Sequence, residues 1–116
     1  MIQFKEIRVD NEISHVALSG RLDISGIQDI EMKFTSVVAN RGKAAIIDLS
    51  GVTFLASLGM RMLLSAAKQL KRENAPIILL SPTTLVKEVL EIAGFDSILP
   101  IEYDLETAIA KVKSES

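Results

Sequence analysis

The amino-acid sequence predicts a single α/β domain: a mostly parallel mixed sheet that opens with an antiparallel hairpin, in the element order β-β-α-β-α-β-α-β-α. Three observations predict it. The length, 116 residues, suits one hydrophobic core and not two. At the start, two runs of alternating apolar and polar residues flank the turn-forming Asp10-Asn11-Glu12, the pattern of a β-hairpin. From there on, short apolar runs alternate with segments of helical period, and strands spaced by helices imply a parallel sheet with right-handed crossovers.

Ile2 to Val9 and Ile13 to Ser19 are the two hairpin strands, and Gly20 is expected to end the second. Asp23 or Ser25 caps the first helix, in which Ile27, Ile30, Phe34, Val37 and Val38 recur at helical spacing until Asn40-Arg41-Gly42 stops it. Ala45 to Leu49 has the length and β-branched content of a buried strand, and Ser50 to Ala56 reads as the loop after it. A long helix follows, with Ser57 placed as its N-cap. At 100° per residue, Gly59, Met60, Leu63, Leu64, Ala66, Ala67 and Leu70 share its broad apolar face. Arg61, Ser65, Lys68, Gln69 and Arg72 fall opposite, and Leu58 and Met62 fall with them, as an exposed apolar pair beside Ser57.

The segment Glu73-Asn74-Ala75-Pro76 breaks the chain before another short strand, Ile77 to Leu80. Ser81-Pro82 then starts a helix with serine as cap and proline in the first turn, its apolar side formed by Leu85, Val86, Val89, Leu90 and Ile92, and Gly94 ends it. Ser97 to Ile101 is the last expected strand. Asp104 caps a terminal helix with Leu105, Ala108 and Ile109 inward. The ordered domain is expected to span 1–110, with 111–116 a disordered tail.

Composition narrows the function. The 13 Lys and Arg residues are interspersed with 15 Asp and Glu, so no basic stripe invites nucleic acid. Cysteine is absent, which removes disulfides and thiolate metal sites. The amino terminus lacks a signal-peptide pattern, and no apolar run approaches the roughly 18 to 20 residues of a membrane span. A cytoplasmic location without membrane insertion is the expectation. One histidine, His15, lies mid-strand and is expected to face solvent or an edge, not to hold a metal. No phosphate loop and no cofactor motif occur. Serine nucleophile chemistry at Ser57 would need a nearby base and a Gly-x-Ser-x-Gly elbow, whereas Leu55-Ala56-Ser57-Leu58-Gly59 begins with leucine. A small hydrolase is therefore a distant alternative.

The run ending Asp48-Leu49-Ser50, then Val52-Thr53-Phe54-Leu55, then Ala56-Ser57-Leu58-Gly59-Met60, resembles the STAS domain of bacterial anti-sigma factor antagonists, whose signature is Asp-Ser-x-Gly followed by an apolar residue. Gly20-Arg21-Leu22-Asp23 is similar to that family's Gly-x-Leu-Asp element, and the likeness extends over nearly the whole chain. It implies a non-enzymatic switch in which Ser57 is phosphorylated by a serine kinase that is also the anti-sigma factor, and restored by a serine phosphatase. The implied partner-facing surface comprises Leu22, Asp23, Ala56, Leu58, Arg61 and Met62, with Gly59 and Asp48 as structural neighbours. Ala56 stands where the family has its aspartate. A STAS module serving a sensor, secretion or biofilm complex without a sigma factor is the alternative.

Overall fold

The computed structural model describes residues 2–115. The hairpin forms as the alternation requires: β1 (Gln3–Val9) pairs antiparallel with β2 (Ile13–Leu22). Next come α1 (Ile24–Phe34), which passes into a π-helical turn at Thr35–Ala39, then β3 (Ala44–Leu55), α2 (Ser57–Arg72), β4 (Ile77–Leu80), α3 (Thr84–Ile92), β5 (Ile101–Glu102) and α4 (Leu105–Glu115). The five strands lie in sequence order, β1-β2-β3-β4-β5, with β2 to β5 parallel. Because each parallel neighbour is reached by one crossover of fixed hand, α1, α2 and α3 must all cover the same face. Their buried side chains, among them Ile27, Phe34, Leu63, Leu70, Val86 and Leu90, form the main core with Val16, Leu18, Ile47 and Leu79 of the sheet. The opposite face carries α4 alone, whose Ala108 and Val112 join Ile13, Ala44, Ile46, Ile78 and Leu80 in a smaller cluster.

β3 is longer than its sequence suggests. The stretch Ser50 to Leu55, expected as a loop, continues the strand and pairs with the end of β2, Gly20 opposite Val52 and Leu22 opposite Leu55. Gly20, at φ +103°, bends β2 without ending it, a conformation only glycine adopts freely. β4 stops opposite Asp48. The β2–β3 pair therefore projects beyond the rest of the sheet and carries the starts of α1 and α2 at its tip.

Several boundaries shift for local reasons. The cap of α3 is Thr83, whose hydroxyl accepts from the Val86 N–H at 3.4 Å and donates to the Val52 carbonyl at 3.1 Å. Ser81, expected as that cap, instead takes a left-handed conformation at φ +50°. On α3, Leu85 and Ile92 are exposed, although both were expected on the apolar side. The last strand is only Ile101–Glu102, because Pro100 and the turns before it leave two residues able to pair with Leu79 and Leu80. Leu105 is exposed, whereas Ala108 is buried as expected. The tail expected from Lys111 is helical to Glu115, since Val112 is fully buried and Lys111 pairs with Glu102; Ser116 lies outside the described residues. His15 is 5% exposed, neither at an edge nor facing solvent, because β2 lies between β1 and β3.

Candidate functional site

The site is assembled where two helices begin side by side. Leu22 and Leu55 end their strands opposite one another, and the Ala56 N–H donates to the Leu22 carbonyl at 2.9 Å. Asp23, which follows Leu22, and Ser57, which follows Ala56, are thereby brought to one rim. Asp23 is the N-cap of α1, its Oδ1 accepting from the Gly26 N–H at 2.9 Å. That bond, helped by the Arg21 guanidinium at 3.4 Å, holds the Asp23 carboxyl below its ordinary range. Arg21 in turn stands 4.3 Å from the centre of the Phe54 ring, a cation–π contact across the projecting strand pair.

Ser57 is not the cap of α2. Ala56 takes that place with extended backbone (φ -82°, ψ 165°) and no side chain to offer, which makes Ser57 the first helical residue. Its side chain is exposed, and among the described residues its hydroxyl has no hydrogen-bond partner. The N–H groups of the first turn are likewise left without a side-chain acceptor. Gly59, two residues on, is buried, and a Cβ there would meet Leu55 Cδ1 at 2.8 Å and the Leu22 carbonyl oxygen at 3.2 Å. Its bareness lets the first turn of α2 lie directly on the strand ends.

Of the other expected site residues, Leu58 is 39% exposed beside Ser57 and Arg61 is exposed one turn further. Met62 is 5% exposed, which corrects its placement in an exposed pair. The buried set of α2 is Gly59, Met62, Leu63, Ala66, Ala67 and Leu70. This arc is wider than one sheet-facing stripe because α1 packs against its flank. Leu22 is fully buried and serves the site through its carbonyl, not as a contact surface. Asp48 does not gather with Ser57. It lies mid-strand opposite Ala17 and Leu80, with its carboxylate bonded to the Ser50 N–H at 2.9 Å, and about seven residues of extended chain, roughly 20 Å, separate it from the tip.

What the sequence reading missed is the cleft between α1 and α2. It has a volume of about 290 Å³, and its walls include Ile24, Ile27, Glu31, Leu58, Arg61 and Met62. Ile24 is 59% exposed, and an apolar residue at the first position after the Asp23 cap, about 120° round the helix from Ile30, was the available signal. His15 lies opposite Ile46 in the body of the sheet. The only imidazole of the chain is thus far from Ser57 and cannot act as its base. Among the described residues no group of acidic or histidine side chains is arranged to hold a metal ion, and no helix is long and apolar enough to cross a membrane.

The sequence pattern of the STAS domain matches residues 4–108. The chain belongs to the STAS domain family. A Bordetella bronchiseptica protein, BtrV, named as an anti-sigma factor antagonist, is 30% identical over 97 residues, covering 84% of both chains. Among solved structures, an anti-sigma factor antagonist from Mycobacterium paratuberculosis superposes with a TM-score of 0.84 at 25% identity, over 97% of this chain and 95% of that one. The anti-sigma factor antagonist SpoIIAA shares the STAS fold in its unphosphorylated form, with a TM-score of 0.80 at 23% identity over 97% of each chain. Its phosphorylated form, from Bacillus, gives 0.71 at 22% identity over 95% of this chain and 99% of that one.

Proposed function

We propose that this STAS domain is a phosphorylation-controlled partner switch acting in the cytoplasm. Unphosphorylated, it binds a serine kinase that serves as an anti-sigma factor, and so frees that partner's sigma factor. Phosphorylation of Ser57 ends the complex, and a serine phosphatase resets it. The observation that carries this reading is the exposed hydroxyl of Ser57, with no protein partner among the described residues, at the protruding start of α2, directly beside Leu58 and the apolar cleft. The names of the relatives support it, as does a STAS-fold neighbour whose phosphorylated form has been solved.

The chemistry is two successive phosphoryl transfers. The γ-phosphoryl group of ATP passes to Ser57 Oγ, the hydroxyl proton goes to a base of the kinase, and ADP leaves. The phosphatase returns the group to water as inorganic phosphate. A phosphoserine carries about -1.5 to -2 charges at neutral pH. Placed at a helix start it does not disrupt the helix, because the N–H groups and the macrodipole favour an anion there. Its effect is on the partner: a strongly hydrated dianion beside Leu58 prevents the drying on which an apolar contact depends.

Immobilised wild-type protein and its Ser57→Ala and Ser57→Asp variants, exposed to lysate of the native organism, test the reading. Wild type and Ser57→Ala are expected to retain a serine kinase, and folded Ser57→Asp to bind it at least about tenfold more weakly. Equal retention of that kinase by all three would overturn the switch.

A further inference from the structure

The reading of Ser57 as a phosphoacceptor leaves open what this domain itself does with the phosphate, and α2 supplies an answer. We propose that Arg61 is the intramolecular receiver of a phosphate on Ser57, so that phosphorylation closes a phosphoserine–guanidinium pair across the first turn of α2. The inference rests on the preceding reading of Ser57 and extends it to Arg61, which gains a role in addition to its place on the partner-facing rim.

Ser57 and Arg61 are four residues apart in one continuous helix, and both are exposed. Residues at that spacing are surface neighbours, with Cβ atoms about 5 to 6 Å apart, and an anion placed N-terminal to a cation is the favourable order. Helical side chains lean toward the N-terminus, so the Arg61 side chain extends back over the turn that Ser57 begins. A guanidinium can then offer two parallel N–H donors to two phosphate oxygens, a geometry lysine does not reproduce.

Arg61 is also free to do this. Among the described residues it has neither a hydrogen bond nor an ion pair, and Glu31, on the other wall of the same cleft, is not within salt-bridge distance of it. The remaining cations of α2, Lys68, Lys71 and Arg72, lie two turns or more further along. Ala56 contributes by omission: a carboxylate at the cap would repel the phosphate and compete for the guanidinium, and a methyl group does neither. The pair has a consequence for docking. Arg61 borders the α1–α2 cleft beside Leu58 and Met62, so drawing its guanidinium onto the phosphate withdraws a cation from the partner-facing rim as the dianion appears there.

The test installs phosphoserine at position 57 of the full chain by genetic encoding or ligation, so that no kinase is needed and the result stands apart from whether a kinase uses Ser57. The probe is the phosphorus NMR titration of that phosphate in wild type, Arg61→Gln, Arg61→Lys and the control Arg72→Gln. A paired guanidinium favours the dianion, so the second phosphate pKa is expected to lie below its ordinary value of about 6 in wild type and Arg72→Gln, and to rise by about half a unit in Arg61→Gln, with Arg61→Lys between. Phosphorylation should also raise the melting temperature by about 2 °C more in wild type than in Arg61→Gln. The same phosphate pKa in wild type and Arg61→Gln would overturn the proposal.

Discussion

At the scale of single residues, the first turn of α2 is defined by what Ala56 lacks. An N-cap side chain normally accepts an N–H from the second or third helical residue, and alanine is among the poorest choices for that place. Here the cap offers nothing, and Ser57, one step too late to cap, is left exposed, its hydroxyl without a protein partner among the described residues. Asp23 shows the contrast one helix away, bonded to the Gly26 N–H and lowered in pKa by it. Ala56→Asp should therefore stabilise the unphosphorylated domain by about 1 kcal/mol, read as a higher midpoint in urea at neutral pH. An unchanged or lower midpoint would mean that the first turn already has its acceptors. The same substitution places a carboxylate next to Ser57, the proposed phosphoacceptor, and phosphoryl transfer to it should slow as the fold gains stability.

At the scale of elements, α2 shows how far the sequence was legible. Its existence, its length and its apolar character could be read from helical periodicity, and so could Gly59, Leu63 and Leu70 as inward positions. Its phase could not be completed, because a single helix wheel assumes one buried side. α1 supplies a second wall, and Met62, off the sheet-facing stripe, packs into that corner. The cleft was illegible for the same reason: it belongs to two helices whose approach is a tertiary fact. Leu58→Glu should leave stability within about 0.5 kcal/mol of wild type while weakening partner binding. Met62→Glu should cost about 3 kcal/mol or more, by burying a carboxylate in place of an apolar side chain. Thermal melts of the two variants side by side check this. Similar melting temperatures would contradict the assignment of one residue to the surface and the other to the core.

Over the whole molecule, strand order and crossover handedness put the starts of α1 and α2 side by side at one end of the sheet, and the parallel sheet behind this follows from the alternation of strand and helix patterns. The length of β3 did not, since Ser50 and Gly51 look like a turn until β2 is seen to continue alongside, Ser19 opposite Gly51. Nor did the terminal turn of α4, where charged residues flank the buried side chain of Val112. The face under α4 holds a pH-sensitive element as well. Burial lowers the pKa of His15, the Asp48 carboxylate opposes that shift, and Arg8 adds to it. A neutral buried histidine contributes stability that is present above its unfolded pKa of about 6.5 and is lost as the pH falls below that value, because only the unfolded chain takes up the proton. Urea midpoints should thus fall between pH 7.5 and pH 5.5 more steeply in wild type than in His15→Gln, and parallel slopes would count against the burial of this imidazole.

The most direct measurement is of the phosphoryl transfer itself. The serine kinase retained by the unphosphorylated domain is incubated with radiolabelled ATP and either wild type or Ser57→Ala, and the labelled residue is located by peptide mapping. Label in wild type is expected to be confined to Ser57 and to be absent from Ser57→Ala, with the wild-type complex dissociating as label accumulates. Label that persists in Ser57→Ala, or a complex that survives full phosphorylation of Ser57, would contradict the switch.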